Sequence, residues 1–268
     1  MGFLGELMNR SSWLRKMSSL PLCLVVLLTA IVPQAALAQP VSLKQSQKAR
    51  SPKVRLKLPK LPLGDPPGGR RRGGGGRDTC PEVGVPLTAL VPVTPRSRNG
   101  KVIEDVWGLT ASEKPNFWFY SPYPQGDRFK TYFVLRQKNK HGDTIARLPI
   151  QLPSRPGLLK VTLPEKMSAL QIDRSYYWAL SIDCREAGKG VPLTVEGMVH
   201  RVNLPDTVKQ QVAAEVSPIG KAQQYAEQGI WFEALDLLSS YEQNDPNLKA
   251  NWEALLRSVD LDPTQFGL

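Results

Sequence analysis

The sequence predicts a mainly β protein, namely an antiparallel, immunoglobulin-like β-sandwich with a C-terminal α-helical appendage. Three observations lead to this prediction. The central part of the chain contains short apolar stretches separated by turn residues, and residues 175–184 alternate between apolar and polar side chains. After residue 204 the apolar period lengthens to that of a helix. We therefore expect a β-sandwich domain over residues 80–204 and a helical segment over residues 205–268.

The clearest strand is the stretch SYYWALSIDC at 175–184. One face of it would carry Tyr176, Trp178, Leu180, Ile182 and Cys184. Alternation over ten residues indicates a half-buried strand. Other short apolar stretches lie at 87–93, 116–121, 131–137, 144–152, 158–163 and 193–202. Strands repeated at intervals of about 8 to 12 residues are typical of a sandwich.

The C-terminal quarter predicts helices over 205–216, 219–240 and 246–259, with Gly229 interrupting the second. The stretch AEQGIWFEALDLLSSYEQNDP is similar to half of a tetratricopeptide unit. A single unit of this kind cannot bury its own apolar face. We therefore favour a helical hairpin packed on the sandwich over an open peptide-binding groove.

The N-terminus predicts a cleaved signal peptide over residues 1–38. Three basic residues precede an apolar run, LPLCLVVLLTAIV, which is followed by the Ala-Leu-Ala of residues 36–38. The alternative is an uncleaved membrane anchor, but the run is shorter than the ~20 residues that a spanning helix needs. The chain would start at Met1, Met8 or Met17 and would be cleaved before Gln39. We expect an exported protein, periplasmic or extracellular, with no transmembrane segment after cleavage.

Export leaves two cysteines, Cys80 and Cys184, in the mature chain. In an oxidising compartment an even number of cysteines favours a disulfide between them. Two buried free thiols are the alternative. Neither residue has the C-x-x-C spacing of a redox or zinc site, so we expect no metal and no cofactor.

Residues 39–79 are predicted to be a disordered, basic linker rich in proline and glycine. Eleven Lys or Arg residues face a single acid over 39–77, whereas residues 78–268 hold 21 basic and 22 acidic residues. The segment has no aromatic residue and too few apolar ones to fold alone. Its arginines Arg70, Arg71, Arg72 and Arg77 would act as an electrostatic tether to anionic envelope polymers or lipid head groups. An inert spacer is the alternative, and nucleic acid is not an expected partner.

Catalytic motifs are not evident in the sequence: it has no G-x-S-x-G, H-E-x-x-H or P-loop. We interpret His141 as a turn residue and His200 as a half-exposed strand residue. Three acids, Glu104, Asp105 and Glu113, flank an aromatic stretch and would suit a glycosidase pair only if they converged. The aromatic residues are interpreted as core in preference to a sugar platform, and they are Phe117, Trp118, Phe119, Tyr120 and Tyr123.

Several stretches together resemble one family. They are Cys80-Pro81, GLTASEKPNFWFYSPY at 108–123, LPEKMSALQIDRSYYWALSIDCR at 163–185, the V-x-G-x-V-x-R run at 195–201 and Gly-Ile-Trp at 229–231. Following a signal peptide and a basic linker, this order resembles cyanobacterial secreted proteins with domain of unknown function 928, over about residues 80–262. The resemblance implies a cyanobacterial cell and export, and it supplies no catalytic residues.

From these observations we expect an exported, non-enzymatic binding or structural protein of the cell envelope. The alternative is a periplasmic, glycosidase-like hydrolase that acts on an envelope polymer. A hydrolase should have a pocket with convergent acids and a carboxyl group of perturbed pKa.

Overall fold

The computed structural model describes residues 53–60, 68–74, 80–126, 128–184, 191–239 and 245–266. The predicted signal peptide lies outside these residues. In the described part the strands are β1 Arg70–Gly74, β2 Thr88–Ala89, β3 Val93–Arg98, β4 Lys101–Thr110, β5 Phe117–Ser121, β6 Lys130–Gln137, β7 Thr144–Ile150, β8 Gly157–Val161, β9 Arg174–Asp183 and β10 Leu193–Arg201. The helices that follow are α1 Asp206–Ala214, α2 Pro218–Glu227, α3 Trp231–Ser239 and α4 Pro246–Arg257, with a final 3₁₀ helix at Pro263–Phe266.

The strands are hydrogen-bonded along one path, in the order β7-β6-β9-β10-β1-β2-β5-β8. Strand β10 also pairs with β4, which in turn pairs with β3. The β10–β4 pairing is parallel, and the other pairings are antiparallel. This confirms the mainly antiparallel β class and the helices toward the C-terminus. The division into two separate sheets of a sandwich is not confirmed, because the path between the strands is continuous and nearly closed.

Strand β9 has the two faces that its sequence predicts. Tyr176, Trp178, Leu180 and Ile182 are buried, whereas Ser175, Tyr177 and Ser181 are partly exposed. The buried residues meet aromatic side chains of β5 and β6: the Phe117 ring lies 4.9 Å from that of Phe133 and 6.1 Å from that of Trp178. The core therefore forms where the inner faces of these strands meet.

The helices share this core with the sheet. The ring of Phe232 in α3 lies 5.1 Å from that of Phe117, and the indole Nε1 of Trp231 donates a hydrogen bond of 2.8 Å to the carbonyl oxygen of Leu90. The predicted interruption at Gly229 separates α2 from α3, and this residue has a φ of 74°, which favours glycine. The hairpin packs on the sheet, as the sequence predicts. No helix of the described part is long and apolar enough to cross a membrane.

The prediction of a disordered linker over 39–79 is wrong for residues 53–60 and 68–74. Val54 and Leu56 are buried among the core residues, and β1 pairs with both β10 and β2. Composition indicates whether a segment can build its own core. Here two apolar side chains and a row of backbone groups join a core that the rest of the chain builds. The other residues of the predicted linker lie outside the described ranges.

Candidate functional site

The structure pairs Cys80 and Cys184 as a disulfide, with 5.1 Å between their Cα atoms and 104 residues between them in sequence. This is the pair that the sequence predicts. Cys184 is buried directly after β9, and Cys80 is partly exposed. The bond joins the end of β9 to the segment that leads into β2.

The three acids that flank the aromatic stretch do not converge on a site. Asp105 is fully buried, where it accepts hydrogen bonds from Arg96 Nε at 2.9 Å and from the backbone N–H of Gly68 at 2.8 Å. Glu104 is exposed, and Glu113 lies 3.5 Å from the guanidinium of Arg201. Asp105 therefore holds β4 against β3 and the entry to β1.

The aromatic residues that the sequence offers as a sugar platform lie in the core. All five, Phe117, Trp118, Phe119, Tyr120 and Tyr123, are buried. The histidines also have local roles. His141 is exposed in a turn, and Nδ1 of His200 lies 2.9 Å from the hydroxyl of Ser175. Burial lowers the pKa of His200, which favours its neutral form.

A cavity of about 400 Å³ lies among the helices. It is lined by Leu204, Lys209, Val212, Ala213, Lys221, Tyr225, Glu233, Asp236 and Leu237. Two of these residues, Glu233 and Asp236, are acids three positions apart on α3, so they lie on the same face of that helix. The sequence interpretation missed both. The available signal was a pair of acids at this spacing in a helix that is otherwise apolar.

Glu233 links the first turn of α3 to the end of β4. Its Oε1 accepts hydrogen bonds from the Thr110 hydroxyl and, at 2.9 Å, from the backbone N–H of Ser112. Its Oε2 is shielded from solvent and has no hydrogen-bond partner among the described residues. Burial raises the pKa of Glu233, although these hydrogen bonds act in the opposite direction. The pKa of Tyr225 is also raised, by burial and by the nearby charge of Glu233.

Asp236 is held in the ionised form. Burial alone would raise its pKa, but hydrogen bonds from Lys160, Trp118 and Asn116 outweigh burial and lower it. Each of these three donors lies 2.9 Å from a carboxylate oxygen of Asp236. The carboxylate therefore anchors α3 to β5 and β8. Two carboxyl groups of one cavity thus have pKa values that shift in opposite directions, a pattern found in acid–base sites.

Part of the predicted basic linker, residues 53–60, is docked on the helices. The backbone N–H of Val54 donates to Oδ1 of Asn251 at 2.9 Å, and the N–H of Leu56 donates to the hydroxyl of Ser258 at 3.1 Å. The N–H of Lys57 donates to the carbonyl oxygen of Ala226 at 2.9 Å. These contacts bring residues 53–60 onto α2 and α4.

The arginines of the predicted tether have separate positions. Arg70, Arg71 and Arg72 lie in β1, and Arg77 lies outside the described residues. The Arg71 guanidinium donates to the carbonyl oxygens of Val259 and Asp260, at 2.7 and 3.2 Å, just beyond the end of α4. A cation at the C-terminal end of a helix is also favoured by the helix dipole. Arg71 therefore has a structural partner. The side chains of Arg70 and Arg72 are exposed.

A metal centre is not found in the described part of the chain, where no cluster of three or more His, Cys, Asp or Glu side chains has the arrangement to hold an ion.

The model of the family described as Domain of Unknown Function (DUF928) matches residues 68–266. The chain belongs to this family. The DUF928 match begins before β1 and ends at the final 3₁₀ helix, so it includes every strand and helix of the described structure. Residues 53–60 precede the matched range, yet they pack against two helices of the DUF928 domain. A search of curated proteins found no match.

Proposed function

We propose that this DUF928 protein is an exported, non-enzymatic binding protein of the cyanobacterial cell envelope, which holds anionic polymers or lipid head groups through the cations of residues 39–77. The observation that carries the proposal is a charge asymmetry. Residues 78–268 hold 21 basic and 22 acidic residues, whereas residues 39–77 hold eleven basic residues and one acid. A nearly neutral domain with a concentrated cationic segment is attracted to anionic surfaces through that segment.

The exposure of these cations supports the proposal. In the described part of the segment, Lys53, Arg55, Lys57 and Lys60 are exposed, as are Arg70 and Arg72. Each cation near an anionic membrane contributes about 1 kcal/mol, and the attraction decays within a Debye length. Retention by these residues would therefore be weak and sensitive to salt, with little chemical selectivity.

Export is the part of the proposal that the disulfide supports, because such bonds persist in oxidising compartments. Intact-mass measurement of the protein from its own cell tests it. We expect a chain that begins at Gln39 and is lighter than the reduced chain by the mass of two hydrogen atoms. A chain that retains residues 20–32 would contradict export with cleavage.

Polymer binding can be tested with a pair of polymers that differ only in charge, dextran sulfate and neutral dextran. We expect the mature protein to bind dextran sulfate at low salt, to release it at high salt, and not to bind dextran. The variant in which Lys53, Arg55, Lys57 and Lys60 are replaced by Ser should bind more weakly. Its matched control replaces four exposed cations outside the segment, Lys101, Lys140, Arg155 and Lys166, by Ser.

Equal weakening of both variants would mean that net charge alone matters, and this would overturn the assignment to the segment. Binding of dextran and dextran sulfate with equal affinity would overturn charge-based binding of polymers.

A hydrolase remains the second candidate, because Glu233 and Asp236 line one cavity and their pKa values shift in opposite directions. In this role the protonated Glu233 would donate a proton to a leaving-group oxygen while Asp236 stays ionised. Release of reducing ends from envelope glycans is the measurement. The binding proposal predicts no release above a blank. Release by the wild type that is lost in Glu233→Gln, but kept in the exposed-site control Glu82→Gln, would establish the hydrolase instead.

A further inference from the structure

Residues 53–60 are called here the basic strip, and over residues 53–57 their side chains alternate between exposed and buried. Val54 is 1% exposed and Leu56 is 8% exposed, whereas Lys53, Arg55 and Lys57 face solvent. In an extended chain successive side chains point to opposite sides. The strip therefore has an apolar side against the helices and a cationic side that faces away from them.

The strip is held by backbone groups at three successive points. Asn251 and Ser258, on or just after α4, accept from Val54 and Leu56, and the Ala226 carbonyl of α2 accepts from Lys57. The two side-chain acceptors are themselves fixed. The amide of Asn251 donates to the carbonyl oxygen of Asn247 at 2.8 Å, and the hydroxyl of Ser258 donates to that of Leu255 at 2.6 Å.

Gly229 allows the strip to approach the helices closely. A Cβ atom at this position would lie 3.0 Å from the carbonyl oxygen of Lys57 and 3.1 Å from side-chain atoms of Pro59. Such contacts are tighter than ordinary van der Waals packing. The turn between α2 and α3 thus leaves space for the part of the strip that contains Lys57 and Pro59.

The spacing of the outward cations follows from this docking. Lys53, Arg55 and Lys57 occupy alternate positions, and alternate residues of an extended chain are about 6.5 to 7 Å apart. A flexible tail would have to lose conformational freedom before its cations could form such a row. In the docked strip, contacts with the helices fix the backbone before any ligand binds.

We infer that the basic strip is a preorganised site for a linear polyanion, in which the helices hold Lys53, Arg55 and Lys57 in a row. The inference rests on the proposed function. It adds that docking of the apolar side of the strip determines how tightly its charged side binds a polyanion. A linear polymer with regularly spaced anionic groups fits a single row of cations. A lipid surface has mobile head groups and does not need this arrangement.

The docking of the strip can be changed without changing its charge. A pair of uncharged substitutions therefore tests the inference. Leu56→Ser in the mature full-length chain removes a buried anchor and leaves every cation in place. Leu58→Ser is the matched control, because Leu58 belongs to the same strip but is 54% exposed. We expect Leu56→Ser to raise the dissociation constant for dextran sulfate by roughly threefold or more, in proportion to the fraction of undocked strip. Leu58→Ser should bind as the wild type does.

Amide hydrogen exchange at Val54, Leu56 and Lys57 reports docking in the same samples, and the melting temperature reports that the domain is folded. If Leu56→Ser leaves these amides protected, the titration is repeated with the double variant Val54→Ser/Leu56→Ser, which removes both buried anchors. An undocked strip that binds dextran sulfate as tightly as the wild type would overturn the inference and leave the proposed function intact. A wild type that binds neither dextran sulfate nor vesicles of phosphatidylglycerol would overturn both.

Vesicles of phosphatidylglycerol distinguish a polymer from a lipid partner. The inference predicts that the variant with the undocked strip loses more affinity for dextran sulfate than for the vesicles. Equal weakening on both, or weakening on the vesicles alone, would contradict the assignment to a linear polymer.

Discussion

The backbone N–H of Val54 donates a hydrogen bond of 2.9 Å to the side chain of Asn251, across 197 residues of sequence. Asn251 is itself buried in α4, although its amide is polar. A buried amide is stable where its donors and acceptors are satisfied, and Asn251 is satisfied by Val54 on one side and by Asn247 on the other. The contact joins a segment that precedes the DUF928 match to the last α-helix of the domain.

Replacement of Asn251 by Ala should therefore loosen the basic strip. The N–H of Val54 loses its acceptor, and an unsatisfied buried group costs about 1–3 kcal/mol. We expect faster amide exchange at Val54 and a loss of about 1 kcal/mol in the free energy of unfolding in urea. Gln210→Ala, at an exposed amide in α1, is the control and should change neither quantity. Unchanged exchange at Val54 in Asn251→Ala would show that this hydrogen bond does not hold the strip.

The disulfide should contribute strongly to stability, because it closes a long loop. Cys80 and Cys184 are 104 residues apart, and in the chain-entropy model a loop of about 100 residues gives about 4.7 kcal/mol. We expect Cys80→Ser to lower the free energy of unfolding by about 2–5 kcal/mol and to leave the Cys184 thiol titratable in denaturant. Two titratable thiols in the unreduced wild type would contradict the bond.

Gly197 in β10 should not tolerate a side chain. A Cβ atom there would lie 2.6 Å from the Trp178 ring and 2.6 Å from the carbonyl oxygen of Val106. Both neighbours are buried, so the overpacking in Gly197→Ala should cost about 1–3 kcal/mol. Gly84→Ala is the matched control, since a Cβ atom at Gly84 meets nothing within 4 Å. Equal melting temperatures of the two variants would refute this account of the V-x-G-x-V-x-R run.

The raised pKa of Glu233 predicts a pH dependence of stability. A carboxyl whose pKa is higher in the folded than in the unfolded chain stabilises the fold fully below its unfolded value of about 4.5, and this contribution is lost as the pH rises through the folded value. Glu233→Gln cannot ionise. Its unfolding free energy relative to the wild type should therefore increase as the pH rises from about 4.5 through the folded pKa of Glu233, and then level off.

That pH window avoids interference from Asp236. Its pKa is lowered, so its contribution is lost in the opposite direction, as the pH falls toward and below 3.8. Glu82→Gln removes the same charge at an exposed position and is the control. A difference for Glu233→Gln that stays flat over the window would mean that its carboxyl titrates as it does in the unfolded chain.

Local patterns in the sequence predicted much of the fold. The alternation of Tyr176, Trp178, Leu180 and Ile182 identified β9 and its buried face, since one face of a half-exposed strand must be apolar. The break between α2 and α3 was predicted from Gly229, and its positive φ explains why a glycine occupies this position. These features depend on neighbours in sequence, which is why a single sequence reveals them.

Strand β1 and the cavity acids could not be predicted in this way. Arg70, Arg71 and Arg72 have no apolar alternation, and their strand is defined by pairing with residues near Glu196 and Thr88. Glu233 acquires its raised pKa only because the fold buries it beside the end of β4. Both depend on contacts between residues that are distant in sequence, and composition does not record such contacts.

The central claim is that the cations of residues 39–77 retain the protein at the cell envelope. It is tested most directly on isolated envelopes. The measurement is the fraction of mature protein that sediments with them at low and at high ionic strength. It compares the wild type, the variant with Lys53, Arg55, Lys57 and Lys60 replaced by Ser, and the control with the same four charges removed from Lys101, Lys140, Arg155 and Lys166. Arg71 is kept in all three, because it donates a hydrogen bond to the carbonyl oxygen of Val259 just after α4.

The account predicts that the wild type and the control are retained at low salt and released at high salt, since screening weakens the attraction between exposed charges. The variant without the four strip cations should be retained less at low salt. Equal retention of the wild type and this variant at low salt would contradict the account.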